Sequence, residues 1–291
     1  MTRRYNSLAD FLIATPLTID VSLDDGWGEG LSVKGREVDA AVLSADITGF
    51  SRQTADFNPA ETLIFVNNFL AWITAEGLTK HGGLIDKYVG DEVIVVFARE
   101  FGSKDPVADA FKTATAMADF DVLSFCPHFG IAAGRVMIGF TGSRLAFHPS
   151  VFGRPVTLAA RCAAFEGKEP DASYAITFPA ELWSNLSVQD VAPGSRYKGP
   201  EGREIEQPAT WQVGPPREYK PKNIAPMFVR QLFKTGLWLP QQCADERALA
   251  IYKDLWNQGK IREGASPPCA VPAHAGWVKP SGGSSEATTP N

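Results

Sequence analysis

The sequence predicts an α+β fold in which strands and helices alternate in the order β-α-β-β-α-β. A short apolar run at residues 41–45 predicts a buried strand, and apolar side chains recurring at helical spacing over residues 63–73 predict an amphipathic helix. β-prone runs on both sides of Gly90 and Asp91 predict a hairpin. The remaining elements are a helix at residues 105–120 and paired strands at residues 129–133 and 136–140. This order is typical of a ferredoxin-like sheet.

Further elements are predicted after this core. Pro155, placed just after Gly153 and followed by an Ala-rich run, predicts the start of another helix. The sequence then predicts a strand at 174–178, a short helix at 179–186, and a hairpin with strands at 196–199 and 209–213 around a turn at 200–204. The sheet is therefore expected to extend beyond its ferredoxin-like core.

We divide the chain into four regions, because its character changes after residue 214, where several prolines mark a linker. The regions are an N-terminal leader at 1–37, a main domain at 38–214, a C-terminal helical extension at 215–261 and a disordered tail at 262–291. Outside the main domain, the sequence predicts short helices at 7–13, 227–233 and 244–258, and a turn at the glycine cluster 26–30.

Composition limits the classes of function. The chain has 291 residues, of which 44% are apolar and 21% charged, as in an ordinary globular protein with an ample core. A net charge of −5 argues against a nucleic-acid-binding surface. No run approaches the length of a membrane span. The four cysteines lack C-x-x-C spacing, which favours reduced thiols and a cytoplasmic protein.

Two aspartates are predicted to meet at one edge of the sheet. Asp46 follows the strand at 41–45, and Asp91 lies at the tip of the next hairpin. Asp46 alone would be an ordinary turn residue, but two convergent carboxylates with no neighbouring Cys or His favour a hard divalent ion over zinc. The sequence therefore predicts a Mg²⁺ or Mn²⁺ site.

A third feature is the helix that begins near Gly153. Thr157 and Arg161 are four residues apart and lie on the same helix face. A hydroxyl and a guanidinium presented together suit a sugar and a phosphate. Arg161 alone would be an ordinary surface arginine, so its interpretation depends on the other motifs.

Four segments in this order resemble the class III nucleotide cyclases, the adenylate and guanylate cyclase catalytic domain. They are A-D-I-T-G-F-S at 45–51, K-Y-V-G-D-E-V-I-V-V-F at 87–97, V-F-G-R-P-V-T-L-A-A-R at 151–161 and Y-K-G at 197–199. The resemblance covers residues 38–213 and implies that the main domain, 38–214, converts a nucleoside triphosphate to a 3′,5′-cyclic nucleotide and pyrophosphate.

The resemblance also implies roles for the matching residues. Asp46 and Asp91 would hold two divalent metal ions, Mn²⁺ or Mg²⁺, with the carbonyl of Ile47 as an additional ligand. Arg161 would stabilise the pentavalent transition state, and Lys198 would contact the β- and γ-phosphates. The loop that would bind phosphates through backbone N–H groups contains Thr48, Gly49 and Phe50.

Base choice is less constrained. Lys87 matches a base-contacting lysine of adenylate cyclases, whose partner position, Asp or Thr there, is Ser150 here, while the family's ribose-orienting asparagine is Thr157. Three alternatives follow. One is a pyrimidine cyclase, which looks like those of bacterial anti-phage (Pycsar) systems and converts UTP to cyclic UMP. The others are an adenylate cyclase and a non-catalytic nucleotide-binding domain.

The resemblance implies partners as well. Cyclases of this type share their active sites between two protomers, so we expect a homodimer in which one subunit supplies the aspartates and the other the arginine helix. The product would be read by a separate effector protein. We expect no nucleic-acid partner and no membrane span.

Overall fold

The computed structural model describes residues 4–24, 30–55, 57, 59–79, 82–119, 125–143, 146–167, 169, 172–193, 195–198, 204–207 and 210–235. The helices are α1 (Leu8–Ala14), α2 (Phe50–Gln53), α3 (Pro59–Thr79), α4 (Pro106–Asp119), α5 (Arg154–Ala163) and α6 (Val188–Val191). The strands are β1 (Ile19–Asp24), β2 (Gly30–Asp46), β3 (Leu84–Val89), β4 (Glu92–Ala98), β5 (His128–Ser143), β6 (Ala146–Phe152), β7 (Ala172–Pro179), β8 (Ser195–Lys198), β9 (Glu204–Gln207), β10 (Trp211–Val213), β11 (Arg217–Tyr219) and β12 (Met227–Thr235).

Most strands form one sheet with the order β10-β12-β7-β5-β2-β4-β3. The sequence order β2-α3-β3-β4-α4-β5 and the spatial order β5-β2-β4-β3 together make the ferredoxin-like core. The predicted α+β class and the β-α-β-β-α-β order are therefore confirmed. The helices expected near residues 59 and 105 are α3 and α4.

Both faces of the sheet are covered, which explains the nearly continuous apolar sequence of β2. Ala41, Leu43 and Ala45 point into one core cluster, together with side chains of α3 and α4. Ala40 and Val42 point into the other, together with α1 and α5. By this alternation, Asp46 projects from the face that carries α1 and α5.

The predicted leader at 1–37 is part of the fold. Ser7 caps α1, as the predicted short helix required, and Leu8, Phe11 and Leu12 of α1 are buried. β1 then pairs with the first half of β2, which begins at Gly30. Of the glycine cluster at 26–30, only Gly30 belongs to the described residues, so the predicted turn stays a prediction. The boundary at residue 38 is wrong, because β2 continues through it.

The two predicted strands at 129–133 and 136–140 are one strand, β5. Gly134 has a φ of 146°, a conformation open to glycine that lets the chain stay extended where a turn was expected. β5 pairs with β2 from the Gly35–Gly139 pair to the Asp46–His128 pair, without interruption. Its hairpin partner is β6 instead.

The C-terminal part of the described chain is strand, not helix. Residues 227–233, predicted as a helix, lie in β12, which pairs with β7, β10 and β11. Phe228 and Leu232 are four residues apart, a spacing that places two side chains on one face of a helix but equally on one face of a strand. The boundary at 214 is therefore wrong, since β12 belongs to the main sheet. The helix expected at 244–258 and the tail at 262–291 lie outside the described residues.

Two smaller elements also differ from the prediction. The hairpin after Ser195 pairs β8 with β9, whose residues 204–207 overlap the expected turn, while Trp211–Val213 joins the main sheet as β10. The predicted helix at 179–186 is a 3₁₀ turn at Ala180–Trp183, whereas the predicted strand before it is confirmed as β7. In the described part of the chain, no helix is long and apolar enough to cross a membrane.

Candidate active site

Asp46 and Asp91 are brought together by neighbouring strands. Asp46 is the last residue of β2 and pairs with Glu92, the first residue of β4. Asp91 lies in the turn before β4, where Gly90 has the left-handed φ of 65° that a tight hairpin needs. The predicted hairpin is thus present, and it places Asp91 next to the end of β2.

The carboxyl groups of Asp46 and Asp91 interact with each other. The pKa of Asp46 is raised from 3.8 to about 7, first by burial, then by a hydrogen bond and charge repulsion from Asp91, and further by the charge of Glu92. A hydrogen bond from the backbone at Ile47 opposes the shift. Two acids that share a site in this way cannot easily both ionise unless a cation joins them.

The donor set fits a hard divalent cation. Within the described residues, no three His, Cys, Asp or Glu side chains form a metal-binding cluster. A site with two carboxylates would therefore take its other ligands from backbone carbonyls, water and a phosphorylated substrate, which is how Mg²⁺ is usually bound. The carbonyl of Ile47, next in the chain to Asp46, is the nearest such group in sequence, and it accepts one hydrogen bond from the Phe50 amide at 3.3 Å.

The loop at Thr48–Phe50 is fixed by its own hydrogen bonds. The Thr48 hydroxyl donates to the carbonyl of Cys126, and the side-chain amide of Gln53 donates to the Thr48 carbonyl at 2.8 Å. Gly49 precedes α2 and accepts from two amides of that helix. The Phe50 amide donates to the Ile47 carbonyl at 3.3 Å. The predicted contacts of Thr48, Gly49 and Phe50 with phosphate stay predictions.

Lys87 and Ser150 are also brought together. Lys87 in β3 donates from Nζ to Oγ of Ser150 in β6 at 2.5 Å, although β3 and β6 share no backbone ladder. The β5–β6 hairpin therefore reaches across to β3. Lys87 Nζ also lies 5.9 Å from the ring centre of Phe152, a partly exposed aromatic side chain. A cation, a hydroxyl and an aromatic ring together form a surface that suits a nucleobase.

Thr157 and Arg161 lie on α5, which begins at Arg154 with Pro155 in its first turn. Thr157 is exposed and Arg161 partly exposed. In one chain, neither side chain has a hydrogen bond or ion pair with Asp46 or Asp91 within the described residues. The backbone carbonyl of Arg161 accepts from Tyr219 Oη at 2.9 Å, so β11 holds the last turn of the helix.

Lys198 is the last residue of β8, in the separate two-stranded sheet, where it pairs with Glu204 of β9. The structure does not bring this hairpin into the main sheet. The predicted contact of Lys198 with the triphosphate stays a prediction.

Comparison with known proteins is most informative for the fold. No protein-family profile matches the chain. Uncharacterized proteins of Mycobacterium tuberculosis and Mycobacterium bovis are 32% identical to it over 139 residues, which is 47% of this chain and 26% of each relative. The chain thus spans about a quarter of the length of the curated relatives it matches.

Solved structures cover more of the chain. The adenylyl cyclase CyaB from P. aeruginosa aligns with a TM-score of 0.52 at 22% identity, over 71% of this chain and 99% of that one. The guanylyl cyclase Cya2 aligns with a TM-score of 0.51 at 20% identity, over 70% and 95% of the two chains. A bacterial light-regulated adenylyl cyclase gives 0.53 at 18% identity, over 73% and 58%. The chain has the nucleotide cyclase catalytic fold.

Within this cyclase fold, two residues near the site were missed by the sequence analysis. One is Asp86, which contacts Lys87 and β6 and whose sequence context carries no signal of this role. Tyr219 lay beyond the predicted domain boundary and was assigned to a linker. Its bond to α5 depends on a chain reversal of more than fifty residues, for which the local sequence carries no signal.

Proposed function

We propose that the protein is a nucleotide cyclase that converts a nucleoside triphosphate to its 3′,5′-cyclic nucleotide and pyrophosphate. The observation that carries this proposal is that Asp46, at the end of β2, pairs with Glu92, the residue next to Asp91, so that both carboxyl groups lie at one sheet edge in a chain with the cyclase fold. Both side chains are partly buried, and neither has an ion pair with a Lys or Arg side chain among the described residues, whereas a divalent cation would give them a positively charged partner.

The reaction makes one bond and breaks one. The ribose 3′-oxygen attacks the α-phosphorus, the bond from that phosphorus to the bridging oxygen breaks, pyrophosphate leaves and the hydroxyl proton passes to solvent. Bound divalent metal would lower the pKa of the 3′-hydroxyl and balance the charge of the triphosphate.

The side chains of this chain have distinct tasks in that reaction. Asp46 and Asp91, once ionised, would hold the cation at the end of β2. The guanidinium of Arg161 offers a rigid fork of donors to the charge that develops on the transferred phosphoryl group. Thr157, one turn earlier on the same helix, orients the ribose, and Lys198 holds the β- and γ-phosphates.

We infer a head-to-tail homodimer with two shared sites. In one chain Arg161 and Thr157 do not contact the aspartates, yet every chain carries both groups. A twofold arrangement would place α5 of one subunit against the aspartates of the other, and it would do so twice.

For the base, we propose UTP, with cyclic UMP as a second messenger of anti-phage defence read by a separate effector. The proposal rests on the resemblance to the pyrimidine cyclases of anti-phage systems, and Ser150 in place of Asp or Thr and Thr157 in place of asparagine are departures from the purine cyclase pattern. The alternative is ATP, favoured by the direct contact between Lys87 and Ser150, since a lysine with an adjacent oxygen can also meet the edge of adenine.

The test is to incubate the purified full chain with each of the four nucleoside triphosphates and Mn²⁺, and to identify any cyclic product by mass spectrometry. Cyclic UMP as the main product is the expected result. Cyclic AMP alone would overturn the UTP assignment and leave the cyclase assignment standing. No cyclic product from any triphosphate would overturn the cyclase assignment.

A further inference from the structure

Asp86 occupies an irregular position in β3. The register of β3 against β4 runs from the Ile85–Val95 pair directly to the Lys87–Ile94 pair, so Asp86 is an extra residue in the strand. Such a bulge breaks the usual alternation and lets two consecutive side chains point to the same side of the sheet. Asp86 and Lys87 therefore both face β6, which a regular strand would not allow.

The side chain of Asp86 is completely buried, and its two oxygens have different partners. Oδ1 accepts a hydrogen bond from the backbone N–H of Val151 at 3.0 Å, which fixes β6 next to Ser150. Oδ2 lies 3.3 Å from Nζ of Lys87 and has no hydrogen bond among the described residues. A buried carboxylate oxygen is costly to leave without a hydrogen bond, so the ion pair with Lys87 is its main compensation.

This arrangement determines which donors remain for a ligand. The Lys87 ammonium has three N–H groups, and one of them donates to Ser150 Oγ. The buried Asp86 carboxylate attracts the ammonium, and about 39% of the Lys87 side chain is exposed. With one N–H used by Ser150 and the ammonium held beside Asp86, an N–H group remains available to a ligand on the exposed side of Lys87, where Phe152 lies 5.9 Å from Nζ.

We infer that Asp86 is a positioning residue for base selection: through the Val151 amide and the Lys87 ammonium, it fixes Ser150 and Lys87 so that one N–H of Lys87 meets an acceptor atom of the base. The matching acceptor is a carbonyl oxygen or a ring nitrogen that carries no hydrogen. This inference rests on the proposed cyclase function and deepens it, because it names the group that sets base discrimination.

Asp86→Asn tests the inference because asparagine keeps the shape and the acceptor for Val151 but loses the charge that holds Lys87. We expect KM for the preferred triphosphate to rise about tenfold and its kcat/KM advantage over the other triphosphates to fall about tenfold, with kcat changed by less than about threefold. A fall in kcat that is equal for all four triphosphates would overturn the inference, since it would show a general structural effect.

A double-mutant cycle separates positioning from folding. If Asp86 acts through Lys87, Asp86→Asn has no further effect on discrimination in a Lys87→Met background, and the inference fails if the second change still costs a similar factor. Asp39→Asn is the matched control, because Asp39 is an exposed carboxylate of β2 that lies 3.9 Å from Arg135, far along the strand from Asp46. It should leave KM and discrimination unchanged.

A binding measurement distinguishes failure of this inference from failure of the proposed function. Equilibrium dialysis with each triphosphate and Mn²⁺ gives the discrimination of wild type and Asp86→Asn without turnover. Wild type that makes product while Asp86→Asn discriminates normally would overturn only the role of Asp86. Wild type that binds selectively but makes no product would overturn the cyclase assignment, and the loss of selectivity in Asp86→Asn would still support positioning.

Discussion

The metal end and the base end of the candidate site are built in different ways. Asp46 and Asp91 are placed by adjacent strands and a tight turn, so the local backbone is sufficient to join them. Lys87 and Ser150 are joined across strands that share no ladder, through a bulge and a buried carboxylate. A site of the first kind tolerates distant changes, whereas one of the second kind depends on long-range polar contacts. The same fold could therefore keep its metal chemistry while its base preference changes.

The largest effect is expected at the metal end. Asp46→Ala or Asp91→Ala should lower kcat about a thousandfold, because each removes one of the two carboxylates that would hold the cation. The circular dichroism spectrum should not change, since both residues lie at the sheet edge. Turnover is measured with Mn²⁺ and the preferred triphosphate. Near-normal activity in either variant would remove the metal assignment.

A second, nearly as large effect tests whether the aspartates and Arg161 of one site come from different subunits. Asp46→Ala and Arg161→Ala chains should each be inactive alone. After mixing and subunit exchange, half of the dimers carry one intact site, so about a quarter of wild-type specific activity should return. Each variant mixed with itself under the same conditions is the control. If no activity returns although exchange is verified with differently tagged chains, the sites are not shared.

The contrast between the two ends also explains what the sequence could predict. The hairpin around Asp91 and the start of α5 at Arg154 depend on residues that are neighbours in the chain, so turn and capping patterns were enough. The bulge at Asp86 could not be predicted, because a bulged strand contains the same types of residue as a regular strand and differs only in its pairing register. The Asp86–Val151 bond depends on the β5–β6 hairpin reaching β3, a contact between distant parts of the chain.

The strands were hardest to predict where pairing decides their form. β12 is inserted between β7 and β10, so its partner β7 lies about fifty residues earlier in the chain. Only the pairing with β7 shows that β12 is a strand, because the spacing of its apolar residues also fits a helix. Gly134 similarly indicated a turn, but the long ladder with β2 keeps β5 extended. Tertiary pairing outweighed local preference in both cases.

A smaller effect concerns pH and again tests the metal end. In the folded protein the pKa of Asp46 is about 7, whereas the ordinary value is 3.8. Between these values the folded state holds a proton that the unfolded state has lost, so the free energy of unfolding of the metal-free protein should fall as pH rises from about 4 to 7, and then level off. Mn²⁺ needs the ionised acid, so its stabilising effect should be weak at pH 5.5 and strong at pH 8.

Thermal unfolding with and without Mn²⁺ across this pH range is the measurement. Asp46→Asn is the matched variant, because it has the same shape but no proton to lose. It should raise the Tm of the metal-free protein at pH 8 by about 2–4 °C and abolish stabilisation by Mn²⁺. A wild-type Tm that rises from pH 5 to pH 8 without metal would contradict the assignment of the raised pKa to Asp46.

The smallest effect is expected where β11 contacts α5. Tyr219→Phe removes the hydroxyl that donates to the Arg161 carbonyl at 2.9 Å but keeps the edge-on ring contact with Phe165. One lost hydrogen bond of about 1 kcal/mol should lower Tm by about 2–4 °C, and kcat should fall about threefold because the last turn of α5 carries Arg161. Tyr5→Phe is the control, since the Tyr5 ring packs on Phe11 and its hydroxyl has no hydrogen bond in the described part of the chain. An equal loss of kcat in both variants would mean that the segment after residue 214 stabilises the fold without positioning the arginine helix.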